Sequence, residues 1–302
     1  MRSDNMLPMP VSPLEEVLRL RQHQKDGVRS PHKPLLVLLA LGRLARTGSS
    51  EVPWTIARTD LAALIKEFGP PSKTDATQSA AYPFTRLRSD GLWSLDEDVP
   101  MDRVGPLEEH HVSGRLPEWV ERKLGDPAVL TATARAVAEA EFPPTLIPDI
   151  FTAVGLDIDD AYGRYEAAPA SRRRSAAWPA VILKAWDRQC AFCGFDGQLG
   201  QSTVGLEAAH VRWFNFDGPD DLDNGLALCS LHHKLFDRGA LGLTLDYRIH
   251  VAHDYTARTE AGRRVYDLID RRLEPRVGTQ LPAEPHIRWH QEQVFKGIAL
   301  SA

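Results

Sequence analysis

Cys190-Ala191-Phe192-Cys193, Glu207-Ala208-Ala209-His210 and Asn224-Gly225-Leu226-Ala227-Leu228-Cys229-Ser230-Leu231-His232-His233, followed by Asp237, decide how this chain is read. Two pairs stand out, Cys190 with Cys193 and Cys229 with His232. The members of each are three positions apart, a spacing at which a tight turn aims both side chains at one ion. Three thiolates and one imidazole suit tetrahedral zinc, and a four-ligand set without an open position is structural. His210, Asn224, His233 and Asp237 are left over from that centre. Asp237 lies four residues after His233, so on a helix the two side chains share a face about one turn apart.

In this order, the leftover residues and the interleaved zinc pairs resemble the HNH nuclease family and its ββα-metal motif. The resemblance covers residues 178–255. It implies that His210 is the general base, that Asn224 holds the motif's loop and base in position, and that His233 and Asp237 bind a catalytic divalent metal. Many members carry an Asp or His immediately before the base, where this chain has Ala209. The carboxylate of Glu207 or Asp237, or water, takes that place. Phosphodiester hydrolysis needs these residue types: an imidazole accepts the proton of the attacking water near neutral pH, and a hard cation stabilises the phosphoryl oxygens and the leaving oxygen. Nitrogen and oxygen ligands suit magnesium or manganese, while the thiolate set keeps zinc. A redox reading of Cys190 and Cys193 leaves Cys229 and His232 without a purpose. A zinc-bearing DNA-binding regulator without catalysis remains the non-enzyme alternative.

Composition bounds the rest. The chain has 302 residues, 43% hydrophobic and 25% charged, which is ordinary for a globular protein and long enough for two domains. Its three cysteines are all taken by the zinc set, so no disulfide framework is implied and a reducing cytoplasm is expected. The first residues lack the basic-then-apolar layout of a signal peptide. The longest apolar run, residues 35–41, is too short to span a bilayer. A formal net charge of −5 means that any DNA contact comes from local basic patches such as Arg172-Arg173-Arg174.

The expected fold class is α+β: a helix-rich N-terminal DNA-binding domain with a β-hairpin (1–157), a linker (158–177), and a ββα-metal HNH domain with structural zinc (178–302). Ser12-Pro13-Leu14-Glu15 reads as a capping box. An apolar helix is expected over 35–45. Thr59 is expected to cap a helix whose stripe is Leu61, Leu64, Ile65 and Phe68. Residues 87–95, around Asp90-Gly91, read as a hairpin. Asp126 caps a helix to about 141 with Pro127 at its first position, and a short helix follows at 145–154. In the second domain, residues 178–186 read as a helix, 204–211 as the strand carrying His210, 231–236 as the motif's helix, 241–251 as a hairpin, and 257–272 as a last helix.

Ser30-Pro31-His32-Lys33-Pro34-Leu35-Leu36 and Gln78-Ser79-Ala80-Ala81-Tyr82-Pro83-Phe84-Thr85-Arg86-Leu87 together resemble the sulfur-binding domain of type IV restriction endonucleases that attack phosphorothioated DNA. This resemblance covers residues 10–155. It implies that Tyr82 and Pro83 form a cup for the sulfur, and that His32, Lys33, Ser79 and Arg86 hold the backbone or read neighbouring bases. Sulfur in place of a non-bridging oxygen is larger and more weakly hydrated, so an apolar cup desolvates it at lower cost. The whole then reads as a restriction endonuclease that finds phosphorothioate-modified duplex DNA and cuts nearby. Cutting of both strands calls for a homodimer. An HNH nuclease that reads another mark, such as methylated cytosine, is the enzyme alternative; it needs an aromatic pocket for a flipped base.

Overall fold

The computed structural model describes residues 30–157, 175–275 and 277–300, and the backbone of Gln24–Lys25 (β1) and Val28–Arg29 (β2), which pair antiparallel. The capping box at residues 12–15, the arginines 172–174 and most of the expected linker lie outside the described residues.

The N-terminal domain is organised around α1 (His32–Thr47), whose residues from Pro34 to Gly42 are all buried. It is apolar on every side because it is covered on every side. Gly42 marks the tightest approach: a Cβ there would stand 2.0 Å from the Val154 carbonyl oxygen. Gly48, with φ 75°, ends the helix in a left-handed cap and donates to the Leu44 carbonyl.

After β3 (Val52–Pro53), the chain turns into helix at Trp54, passes through a π-turn over Ala57–Leu61 and continues as α2 (Ala62–Phe68). Thr59 is therefore inside a helix rather than at its start, and its hydroxyl bonds back to the carbonyls of Thr55 and Ile56. The stripe Leu61, Leu64, Ile65 and Phe68 is buried, as its spacing predicts. Next comes α3 (Ala76–Arg86), capped by the Asp75 carboxylate on the amides of Thr77 and Gln78. Pro83 is in its interior, so the Ser79 carbonyl has no helical donor four residues on.

The expected hairpin at 87–95 does not form. Buried Leu87 instead extends α3 into a 3-10 turn that ends at Gly91, φ 74°. β4 (Ser94–Leu95) pairs with β5 (Ser113–Arg115) beyond α4 (Val104–Glu109), and β3 pairs on the other side of β5. The aromatic and aliphatic residues at 87, 92 and 93 are core, not one face of a two-stranded ribbon. After α5 (Glu118–Lys123), α6 (Pro127–Glu141) begins at the Asp126 cap as expected, and α7 (Ile147–Val154) packs with α6 against α1.

In the second domain α8 (Trp178–Ala185) leads into the cysteine knuckle and a two-stranded ribbon, β6 (Gln198–Leu199) and β7 (Ser202–Thr203). β8 (Leu206–His210) and β9 (Gly225–Cys229) form an antiparallel pair with His210 opposite Gly225 and Leu206 opposite Cys229. α9 (Ser230–Asp237) crosses that pair and buries Phe236. β10 (Leu241–Leu243) and β11 (Ile249–Val251) form the expected hairpin. The last expected helix is broken: only α10 (Glu260–Arg263) and a 3-10 turn over Arg264–Leu268 occur. A helix that periodicity did not reveal, α11 (Glu284–Gln293), buries Ile287, Trp289 and His290.

The two domains share a core. Trp213, Phe216, Trp289 and Val294 join the apolar cluster that begins in α1. Around it, Asp149 accepts from Arg238 (2.8 Å) and Lys234 (2.9 Å), and the Asn215 amide donates to the carbonyls of Glu139 and Phe142, both at 2.7 Å. Lys296 donates to the Gly69 carbonyl at the end of α2. Half-buried ion pairs and satisfied carbonyls make this junction specific as well as adhesive.

Candidate nuclease site at the domain junction

The knuckle brings Cys190, Cys193, Cys229 and His232 together, with one ligand atom from each within 4.8 Å of all the others. His232 Nδ1 is 3.5 Å from the Cys190 sulfur and 3.3 Å from that of Cys229. A tetrahedral zinc with ordinary bond lengths separates sulfur and nitrogen ligands by about 3.6 Å, so the donor set fits that ion. The close sulfurs also share protons unevenly: hydrogen bonds from Cys193 and Cys229 push the Cys190 thiol up, and those from Cys190 and Cys193 hold Cys229 down. Among the described residues this is the one group so arranged.

Beside it, β8, β9 and α9 gather the second set. His210 ends β8, and its ring lies flat on Trp178 of α8, with centroids 3.8 Å apart and planes 13° apart. Its Nε2 is 2.8 Å from the Asp220 carboxylate. Asn224, fully buried, spends its whole amide on the backbone. Its oxygen accepts from the Arg212 amide (2.8 Å), and its nitrogen donates to the carbonyls of Arg212 (3.0 Å) and Pro219 (2.9 Å). It thereby clips the end of β8 to the loop that carries Asp220.

His233 stands between two carboxylates, with Nδ1 2.6 Å from Glu207 and Nε2 3.2 Å from Asp237. Burial works against its charge, but Asp237 and Glu207 override this and hold it up at about 9. The hydrogen bond from His233 keeps Glu207 below the usual carboxylate range. Burial would raise Asp237, yet His233 and a hydroxyl donor keep it low. The two carboxylates differ in access. The Glu207 side chain is 44% exposed, whereas that of Asp237 is 2% exposed. Asp237 takes a hydrogen bond from Trp213 Nε1 (3.0 Å) on one oxygen, while Thr145 Oγ1 donates to the other. The spacing thus places Asp237 beside His233, but on the side away from Glu207, so the three do not converge on one point. Glu207, His233 and Asp237 all line one cavity, and Glu207 is the more accessible of the two carboxylates. Asp237 is placed to orient the ring from behind.

That cavity, about 430 Å³, has walls from both domains. Glu207, His210, His233 and Asp237 line it together with Pro143, Pro144 and Thr145 of the N-terminal domain. Lys234 donates to the Thr145 carbonyl, holding that strap against α9. Asp220, Trp178, Trp213 and Thr145 were not singled out from sequence. The first lies in an irregular acidic loop, and the last is 92 residues from its partner, so no periodicity or spacing marks them.

The second candidate set lies on α3. Ser79, Tyr82, Pro83 and Arg86 fall at helical intervals on one side, with Ser79 and Pro83 buried and Tyr82 and Arg86 half-exposed. Pro83 is enclosed here, so Tyr82 is the apolar surface that the helix offers to solvent. The Arg86 guanidinium sits 5.1 Å from the Tyr82 ring centre and forms a two-point pair with Asp102, at 2.8 and 2.6 Å. Asp102 has a left-handed backbone, φ 63°, and is itself tied to α3 through Thr85 and Gln78. Lys33, at the start of α1, pairs with Asp90 just past the end of α3. His32 begins α1 and is half-buried. Asp102 and Asp90 are thus the acidic partners of this basic set that sequence reading missed.

Comparison with known proteins finds a match for each half of the chain. Residues 12–159 match the model of the ScoMcrA-like DNA sulfur-binding domain, and residues 190–244 match that of the HNH endonuclease. No curated protein matches the chain. Among solved structures, the sulfur-binding domain of ScoMcrA complexed with phosphorothioated DNA is 22% identical, with a TM-score of 0.41; the match covers 49% of this chain and 97% of that one. The sulfur-binding domain of SprMcrA, also complexed with phosphorothioated DNA, is 22% identical at a TM-score of 0.39, covering 49% and 93%. The type IV phosphorothioation-dependent restriction endonuclease ScoMcrA is 20% identical at a TM-score of 0.40, covering 66% of this chain and 36% of its own. No helix among the described residues is long and apolar enough to cross a membrane. The chain joins a ScoMcrA-like DNA sulfur-binding domain to a metal-dependent HNH endonuclease domain.

Proposed function

We propose that the protein is a type IV restriction endonuclease that binds phosphorothioate-modified duplex DNA through its N-terminal domain and hydrolyses phosphodiester bonds near the modification. The observation that carries this is the cavity at the domain junction. It sets His210, His233 and Glu207 of a nuclease motif against a wall contributed by the domain that matches sulfur binders.

His210, turned by Asp220 and Trp178, takes the proton of the attacking water. His233 and Glu207 hold a divalent ion, magnesium or manganese, with Asp237 fixing the His233 ring. That ion, when bound, neutralises charge on the phosphoryl and leaving oxygens. Asn224 keeps the loop and the end of β8 in register. Cys190, Cys193, Cys229 and His232 hold a structural zinc that anchors β9 to the start of α9. On α3, Tyr82 presents an apolar surface to the sulfur, and Pro83 stiffens the backbone beneath it. Arg86, with Lys33, His32 and Ser79, meets the DNA backbone and neighbouring bases. Cations supply affinity for either backbone, and the apolar surface supplies preference for sulfur. Two copies cut the two strands as a homodimer, in the cytoplasm, where the thiol ligands stay reduced.

The test is cleavage of one plasmid prepared with and without phosphorothioate modification, in magnesium and in manganese, with His210→Ala alongside. Cutting of the modified plasmid alone, lost in the variant, is the expected result. Equal cutting of both would remove the sulfur reading, and no cutting in either metal would leave a binding protein.

A further inference from the structure

We infer that Asp220 is the positioning residue of the general base: it selects the tautomer of His210 that leaves the basic lone pair on Nδ1. This rests on the nuclease reading above and deepens it.

Both oxygens of Asp220 are engaged. Oδ2 takes the backbone N–H of Ser175 at 2.6 Å, and Oδ1 stands 2.8 Å from His210 Nε2. The Ser175 amide can only donate, so its side of the carboxylate is settled. The other oxygen, an acceptor by its charge, then favours a proton on Nε2. A neutral imidazole protonated there carries its lone pair on Nδ1, and a base needs that lone pair.

The surroundings hold this pairing in place rather than merely permit it. Asn224 ties down the Pro219 carbonyl, one residue before Asp220, and Trp178 Nε1 donates to the Asp221 carbonyl, one residue after it, at 3.2 Å. The same Trp178 ring stacks on His210. Imidazole and carboxylate are thus each fixed by an element that also fixes the other. Asn224 therefore acts on the base through the loop that carries Asp220. The side chains of His210 and Asp220 are 12% and 16% exposed, so water competes little for the bond.

An amide cannot replace this carboxylate. With one acceptor and one donor, Asn at 220 turns its oxygen to the Ser175 N–H and its NH2 to Nε2, which forces the proton onto Nδ1. A role in holding shape alone predicts the opposite, because Asn has the size of Asp and still bonds to both neighbours.

The experiment compares Asp220→Asn, Asp220→Glu and wild type in the full chain, with zinc content and melting temperature measured for each. Steady-state cleavage of modified DNA gives kcat and KM, and nitrogen-15 NMR of the imidazoles gives the tautomer without added divalent metal. Asp220→Asn should lower kcat by about 100-fold, the usual size of a general-base contribution, with KM within about twofold. It should also move the His210 proton to Nδ1. Asp220→Glu, with two acceptors, should recover most of the rate. Wild-type kcat in Asp220→Asn, an unchanged tautomer, or a loss shared by kcat, KM and zinc content would each overturn the inference. If the wild-type protein fails to cut at all, the nuclease reading falls, while the NMR measurement still decides which nitrogen Asp220 protonates.

Discussion

Divalent-ion binding at the nuclease centre should displace one proton from His233, and the affinity should follow pH accordingly. His233 lies between Glu207 and Asp237, and the carboxylates hold it protonated up to about 9 despite its burial. The imidazolium therefore occupies, as a cation, the ground that a metal ion would take, and a ligating nitrogen must first lose its proton. With a pKa of about 9, roughly one His233 in a hundred is ready at pH 7 and about one in four at pH 8.5, so the apparent affinity should rise about 25-fold over that interval. Titration calorimetry with manganese and the His210→Ala variant, in two buffers of different ionisation enthalpy, counts the protons released. The count should be close to one at pH 7 and fall towards zero above pH 9.5. Glu207→Gln should lower both the affinity and the proton count, because it removes a ligand and a carboxylate together. A pH-independent affinity with no proton release would refute the placement of the ion on His233.

Three further outcomes are expected. His290, stacked on Phe236 and fully enclosed, is pushed down to about 4 by burial, against a hydrogen bond to the Phe236 carbonyl and the pull of Asp237. In the unfolded chain it takes up a proton near 6.5, and in the fold it does not. Its contribution is present above pH 6.5 and is lost as pH falls towards 4, by about 3 kcal/mol at most; urea melts of wild type and His290→Phe at pH 7 and 4.5 read the difference. Cys193→Ser should abolish stoichiometric zinc, measured by atomic absorption, and lower the melting transition of the nuclease domain, because three ligands cannot hold what four hold. Tyr82→Ala should cut the preference for phosphorothioate over phosphate DNA by about 1–3 kcal/mol in competitive binding while sparing affinity for ordinary duplex, as expected for a single-group contact.

The candidate metal-binding half of the site was legible in the sequence because the members of each pair are local. Pairs three apart at turns and a pair four apart on a helix have one geometric outcome each, and Cys190 with Cys193, Cys229 with His232, and His233 with Asp237 all met it. Strong caps also read correctly: Asp126 with Pro127 starts α6 where expected. Elements failed where a local signal lost to packing. Pro83 argues against helix on its own, yet α3 runs through it because Ala80, Ala81, Phe84 and Thr85 are all buried. Asp90-Gly91 argues for a hairpin, but Lys33 claims Asp90 from 57 residues away and the chain finishes a helix there instead. α11 was missed because its buried apolar residues are few and divided, Ile287 packing in its own domain and Trp289 in the shared core. The partners that tune the site, Asp220 and Thr145, come from an irregular loop and a different domain. Nothing in their neighbourhood announces them.

A nuclease is dangerous to the cell that makes it, and the strap at Pro143, Pro144 and Thr145 bears on that hazard. Consecutive prolines stiffen the segment, Lys234 holds its carbonyl, and the Thr145 hydroxyl completes the shell of Asp237. A fragment starting beyond this strap would keep its zinc knuckle and its histidines, yet would lack a wall of its own cavity and one of the three groups holding Asp237. Proteolytic loss of the targeting half would then disarm the cutting half instead of liberating it. For anyone who wishes to redirect such an enzyme, the useful boundary lies upstream of residue 143: a new targeting module needs to be spliced ahead of the strap, with α7 and the strap travelling alongside the nuclease.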